Sequence, residues 1–297
     1  MTASADAAPV RGSAAEGRPQ PRRVKFDFSD SDPHWNPRHE QFAYLVNAIS
    51  TLLPHLERFL VDCVEAAEPR IPESQADLRR SMADFCYQER RHNANHVKFN
   101  KMIARAGYAT ELAAGKVKLD RYYSRLEAKG HRFGLAWSEG FETVAPLVGV
   151  FMFEHDADFG LDDWNDPTNA LWLWHMSEEF EHRTVCNYTY RELYGHYGTR
   201  IRGLWSATTH LFVHSVPLAW KMAHRDWAGL PPAQRRRNER RFVRMLVQLS
   251  AYVAPRLIGR AMRPGYDPVG MVPPAGMQEL LDQMAVEHGL ATPSAAD

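Results

Sequence analysis

Cysteine is scarce in this chain: three in 297 residues, Cys63, Cys86 and Cys186. The number is odd and no CxxC spacing occurs, so a disulfide framework is excluded and a reducing compartment is indicated. Net charge is missing too. Lys+Arg and Asp+Glu are 36 each, which argues against a nucleic-acid binder that works through bulk positive charge. Long apolar runs are also missing, so no transmembrane helix is predicted. The nearest approach, Leu204–Trp220 (LWSATTHLFVHSVPLAW), carries His210, His214 and Pro217 and reads as a buried or interfacial helix. The opening MTASADAAPVRGSAAEGRPQPRR has no apolar segment of the kind a secretory leader needs. Residues 1–22 read as a disordered lead-in. Strand signals, meaning short alternating runs rich in Val, Ile and Thr, are nearly absent. These absences leave a cytoplasmic, helical protein as the expectation.

What is present supports a sizeable core. Hydrophobic residues make up 44% and charged residues 24%, with 8 Trp, while 14 His is the unusual number. The spacing predicts one helical domain over residues 23–290, with a bundle core at about 37–196 and extra helices at about 199–262. The first helix is expected over 37–67, closed by Pro69 and Pro72, and the second over 73–106, stopped by Gly107. A short helix at 119–129 and a third long one at 131–159 follow. The fourth opens at Asp166-Pro167 and runs to about Tyr194. Further helices are expected at 199–223, 232–262 and 276–288.

The chemistry sits on two of these helices. The second contains QERRHNANH, with Glu89, His92 and His96 at i, i+3 and i+7. The fourth contains HMSEEFEH, with His175, Glu178, Glu179, Glu181 and His182. Glu179-x-x-His182 repeats the spacing of Glu89-x-x-His92. Such a pair aims a carboxylate and an imidazole from one helix at a single point. Two pairs on facing helices could hold two metals, given carboxylates from the other two helices. The first helix offers Glu57 and the third offers Glu142.

Glu57 to Glu89 is 32 residues and Glu142 to Glu179 is 37, each the span of one helical hairpin. Glu89 to Glu142 is 53, enough for a crossover. This order is that of an all-α, ferritin-like four-helix bundle with additional C-terminal helices. Four glutamates bring four negative charges, which two divalent cations would balance. The oxygen and nitrogen donor set suits iron first, with manganese or zinc as alternatives. His96, His175 and Glu178 are candidates for additional ligands or for donors that orient them.

Competing readings attach to several residues. Glu139 competes with Glu142, Glu65 less well with Glu57, and Glu178 with Glu179. Glu181 is expected to be exposed or paired with an arginine. Glu154-His155-Asp156 is adjacent in sequence and cannot share a face, so it reads as helix-end polarity. His210 and His214 have no acidic neighbour in sequence and read as satisfied core or interfacial histidines. Trp172, Trp174, Tyr87 and Tyr188 read as core. Cys86 and Cys186 read as small buried packing residues. The basic stretch RRRNERRFVRMLVQLSAYVAPRL could touch a membrane surface, but packing on the bundle is preferred.

At these motifs the chain resembles a bacterial family of predicted metal-dependent hydrolases. The stretches that carry the resemblance are DPHWNPRHEQFAYLVNAIS with PHLERF, FCYQERRHNANHVKFNKMIARAGY, LAWSEGFETVA, LWLWHMSEEFEHRTV and MRPGYDP. Many members carry a histidine directly after the third-helix glutamate, where this chain has Thr143. The family's closing PGFHP is here Gly265-Tyr266-Asp267-Pro268. The resemblance implies a metal-binding, all-helical enzyme; a small-molecule substrate is the separate expectation.

From the residues, the expected chemistry is dioxygen-dependent oxidation of a small organic substrate, because an all-helical, glutamate-rich ligand set favours oxygen chemistry; the alternative is hydrolysis of an ester, amide or phosphate by activated water. In either, Glu57, Glu89, Glu142 and Glu179 carry the catalytic role, and Glu57, Glu89, His92, Glu142, Glu179 and His182 hold the metals. A non-catalytic metal-binding protein is the third reading. Homodimer formation is compatible with the extra helices.

Overall fold

A computed structural model describes residues 17–293. Among these residues there is no strand, and the sole β feature is an isolated bridge between Arg22 and Leu290. The all-α class is therefore established. Helix α1 covers Glu40–Ala67 and α2 covers Ala76–Ile103. A single π turn, Ala104–Tyr108, redirects the chain at Gly107, whose φ of 90° suits glycine. The connector α3 then runs over Ala109–Glu127. It begins ten residues before the expected start, because the polar stretch TELAAGKVK gave no apolar face to read.

Helix α4 covers His131–Glu154 and passes through Pro146. It stops at His155, and a four-residue α5, Asp156–Phe159, closes on Gly160. Helix α6 covers Pro167–His182. Its start follows the sequence reading: Asp166 accepts from the Thr168 and Asn169 amides at 2.9 and 3.0 Å. Its end does not. The expected single helix to Tyr194 breaks after His182, and α7 resumes over Val185–Leu193. The Arg183 guanidinium turns back and donates to the Phe180 carbonyl at 2.7 Å, supplying that carbonyl with a donor where the helix stops.

Helices α8 (Tyr197–Asp226), α9 (Pro232–Arg256) and α10 (Met277–His288) follow. α1 packs on α2 and α4 packs on α6, so the four helices bearing the candidate glutamates face one another. α8 is no appendage. It lies against both α1 and α4, and crosses α4 at backbone distance. A Cβ on Gly203 would sit 2.2 Å from the Ala136 carbonyl oxygen, and one on Gly140 would sit 2.5 Å from Leu204 Cα. Only glycine permits that approach. No helix among the described residues is long and apolar enough to cross a membrane.

The chain before α1 departs from expectation. Residues 1–16 of the expected disordered lead-in lie outside the described residues. Residues 17–22 pack on the bundle, and Arg22 is fully buried with its Nε bonded to the Leu281 carbonyl of α10 at 3.1 Å. Composition alone suggested disorder there. What holds the segment is burial of Arg22 against acids more than 150 residues away, together with the ion pair of Arg18 with Asp84 of α2.

Candidate metal centre

α1 contributes Glu57, α2 Glu89, His92 and His96, α4 Glu142, and α6 His175, Glu178, Glu179 and His182. All nine side chains are buried. Two groups have donor atoms within 4.8 Å of one another: Glu89, His92, Glu179 and His182, and then Glu57, His96 and His175. His182 Nδ1 lies 2.9 Å from Glu89 Oε1 and 3.8 Å from Glu142 Oε2. His92 Nδ1 lies 3.9 Å from Glu89 Oε2 and 3.7 Å from Glu179 Oε1. Glu89 thus stands between the two imidazoles, and Glu142 borders them from α4.

These atoms converge without satisfying one another. Both oxygens of Glu57, Glu89 and Glu142, Glu179 Oε2, and Nδ1 of His92 and His182 have no hydrogen-bond partner. The 2.9 Å approach of His182 to Glu89 is a proximity without hydrogen-bond alignment. Buried polar atoms left in this way are costly. A cluster of them pointing at common space is what a cation site requires. The donor set fits divalent metal: carboxylate oxygens and imidazole nitrogens from four helices, with no lysine or arginine among them.

The opposite edge of each imidazole is fixed. His92 Nε2 meets Glu178 Oε2 at 3.1 Å, and His182 Nε2 donates to Gln88 Oε1 at 2.9 Å. With Nε2 engaged outward, Nδ1 is the atom turned inward on both rings. Arg22 holds both outer partners. Its Nη1 donates to Glu178 at 3.1 Å, and its guanidinium takes Glu181 through both nitrogens at 3.0 Å. Glu181 in turn accepts from Gln88 Nε2 at 2.8 Å. The expected arginine partner of Glu181 is therefore found, and it also grips Glu178. Glu178 faces Arg22 and His92 Nε2, away from the convergent atoms.

His175 Nε2 donates to Glu179 Oε1 at 2.9 Å, and its Nδ1 meets His96 Nε2 at 2.6 Å. His96 Nδ1 rests on the Ser50 hydroxyl at 2.8 Å. The other sequence candidates go elsewhere. Glu139, the rival of Glu142, is captured by Arg200 of α8 at 3.1 Å and by Asn187 at 2.9 Å. Glu65 pairs with Arg90 near the surface. His210 bonds Tyr123 at 3.0 Å and stacks on Tyr122, a core histidine whose pKa burial pushes down to about 3. Trp172 and Trp174 are buried beside His96 and His92. Cys86 and Cys186 are buried thiols pushed upward by burial. Asp267 of the closing segment accepts from Tyr188 at 3.0 Å, pinning that segment to α7.

Sequence reasoning missed Arg22 and Gln88. Gln88 adjoins Glu89, and an amide one residue from a metal-type glutamate is a readable signal. Arg22 carried none.

Burial, then the neighbouring carboxylates, drives the pKa values of Glu57, Glu89 and Glu142 well above the usual range. Burial also raises Glu179, but the hydrogen bond and charge of His175 reverse this and leave it low. Burial drives His92 and His96 well below their ordinary value, with His175 adding to it. A carboxyl raised in the fold contributes stability below its unfolded pKa, and this is lost as pH rises through the folded value. The depressed histidines work in the opposite sense: their stability is present above the unfolded pKa and lost as pH falls. The metal-free centre therefore retains carboxyl protons toward neutral pH. Metal loading should expel roughly one or more of them per chain. Calorimetry in buffers of different ionisation enthalpy reads that number, and a buffer-independent heat would contradict it.

The fold and this centre define an all-helical protein with buried glutamate–histidine groups able to hold divalent metal. The family profile described as "Predicted metal-dependent hydrolase" matches residues 20–271, and the chain belongs to that family. No curated protein and no solved structure matches it.

Proposed function

We infer that the chain is a dinuclear-metal enzyme on a ferritin-like bundle, with iron the preferred metal, and that it oxidises a small organic substrate with dioxygen. The observation that carries the metal pair is the set of buried carboxylates with unpartnered oxygens, both of Glu57, Glu89 and Glu142 and Oε2 of Glu179, with no lysine or arginine among them. When bound, the metal pair would supply two-electron reduction of dioxygen, or in the hydrolytic reading would activate water.

The protein's own residues divide the work. His92 and His182 present Nδ1 inward because Glu178 and Gln88 hold Nε2. Glu89 and Glu179 occupy the space between the two imidazoles, and Glu57 and Glu142 close it from α1 and α4. His96 and His175 stand on the Glu57 side as further donors.

Oxidation is preferred over hydrolysis because of the slot beside His175. Its other lining residues, including Trp172 and Phe141, are apolar save for the Trp172 indole N–H, and it holds no lysine, arginine or carboxylate to bind the polar flank of an ester or phosphate. Hydroxylation balances as one C–H bond, one dioxygen, two protons and two electrons giving one alcohol and one water. The two electrons must come from an external carrier such as a reduced flavin. The hydrolytic reading draws on a polar cleft of about 270 Å³ between α1 and α2 whose lining includes Glu57 and Glu89.

The test loads metal-free protein with Fe(II) or with Zn(II). The iron form should consume dioxygen in the presence of reduced flavin and a hydrocarbon substrate, at least tenfold faster than the zinc form. A zinc form that turns over p-nitrophenyl esters, beside an inert iron form, would replace oxidation with hydrolysis.

A further inference from the structure

We propose that the apolar slot ending on His175 is the substrate site, and that its substrate is an unbranched alkyl chain of medium length entered end-on. This rests on the enzyme reading above and deepens it. The slot runs along α1 from Phe42 to Leu53, eleven residues, or roughly 16 Å of helix rise. Its volume is about 70 Å³. By the measure in which one ordered water needs about 10–15 Å³, it holds roughly five. So little volume among lining residues spread over that length suits a slender chain better than a ring. By the same measure it takes on the order of six carbons.

The two ends differ. Val148 and Leu249, with Ile49 and Leu211, are half-buried and mark the mouth, among α1, α4, α8 and α9. Trp172 and His175 are fully buried and mark the inner end. The polar atoms of the lining sit at the inner end: the Trp172 indole Nε1, buried without a partner, and the His175 ring, whose nitrogens are taken by Glu179 and His96. The slot thus offers a ligand no polar contact until it reaches that inner end, beside the Glu57–His96–His175 group. An apolar lining that recognises only shape suits a substrate whose inserted part has no polar atoms.

Zinc-loaded protein separates binding from turnover. Calorimetric titration with 1-octanol should give saturable binding near one per chain. The branched isomer 2-ethyl-1-hexanol should bind at least tenfold more weakly. Val148→Phe, at the half-buried mouth, should weaken octanol at least tenfold with zinc content unchanged, and Met176→Ala should improve decanol relative to octanol. Equal binding of the two isomers, or octanol binding unaffected by V148F, would overturn the proposal. So would absence of octanol binding in a protein that holds its metal. Octanol binding by a chain that takes up no metal would leave the slot standing and sink the enzyme reading instead.

Discussion

Replacing Glu89 and Glu179 together by alanine should reduce bound metal from about two ions per chain to less than about half of one, and abolish turnover. Both carboxylates lie in the group with His92 and His182, and Glu89 stands within 4 Å of both imidazoles. Glu179 is the other acid whose donor atoms lie near both rings. The same variant should leave the metal-free fold nearly as stable as before. Two effects oppose each other: truncation opens a cavity, which costs stability, and removes unpartnered buried carboxylate atoms, each a liability of about 1–3 kcal/mol. What disappears is the rise in melting temperature on adding metal. Ligand at a thousand times Kd stabilises by about 4 kcal/mol, and the variant should show almost none of it. Elemental analysis and thermal melts with and without Fe(II) measure both. Retention of two ions would contradict the assignment.

Arg22→Ala should be the most damaging substitution outside the centre. Arg22 and Glu178 are both fully buried, and removing the cation strands the anion. Breaking such a pair costs about 3–5 kcal/mol. The loss reaches further, because Arg22 holds both outer partners of the histidines: Glu178 for His92, and Glu181 with Gln88 for His182. Freed rings can rotate, and loss of such orienting partners lowers metal affinity by about 10–100-fold. Arg22→Met with Glu178→Gln removes both charges and should restore most of the stability. It should leave the affinity lowered, because Glu181 still lacks its guanidinium. Urea melts follow the first quantity, and a chelator competition for Zn(II) follows the second. A double variant with wild-type affinity would show Arg22 to be merely structural.

The difference between what the sequence disclosed and what it concealed follows the range of the interaction. Glu89-x-x-His92 and Glu179-x-x-His182 were legible because one turn of helix fixes each pair, whatever the rest of the chain does. The hairpin spacing of Glu57 and Glu142 narrowed the remaining acids to a few. Between Glu139 and Glu142, one turn apart, the helix offers no decision. Arg200, sixty residues on, captures Glu139. α8 reads in sequence as an added helix, yet Gly203 and Gly140 let its backbone rest on α4, and a glycine's close approach is invisible until its partner is known. Arg22 lay in a stretch whose composition suggests no structure, and its role depends on Glu178, Glu181 and Leu281, all more than 150 residues away in sequence. The break after His182 was hidden for a local reason: Arg183 and Thr184 are ordinary helix residues, and only the turned-back guanidinium marks the stop.

The central claim is that side chains from α1, α2, α4 and α6 enclose two cations. Anomalous diffraction from crystals of iron-loaded protein, collected at the iron edge, tests it most directly. Two peaks about 3.5–4 Å apart are predicted, one within bonding distance of His92 or His182 and both beside Glu89 or Glu179. A map with no peak among these residues, or with iron only at the protein surface, would contradict it.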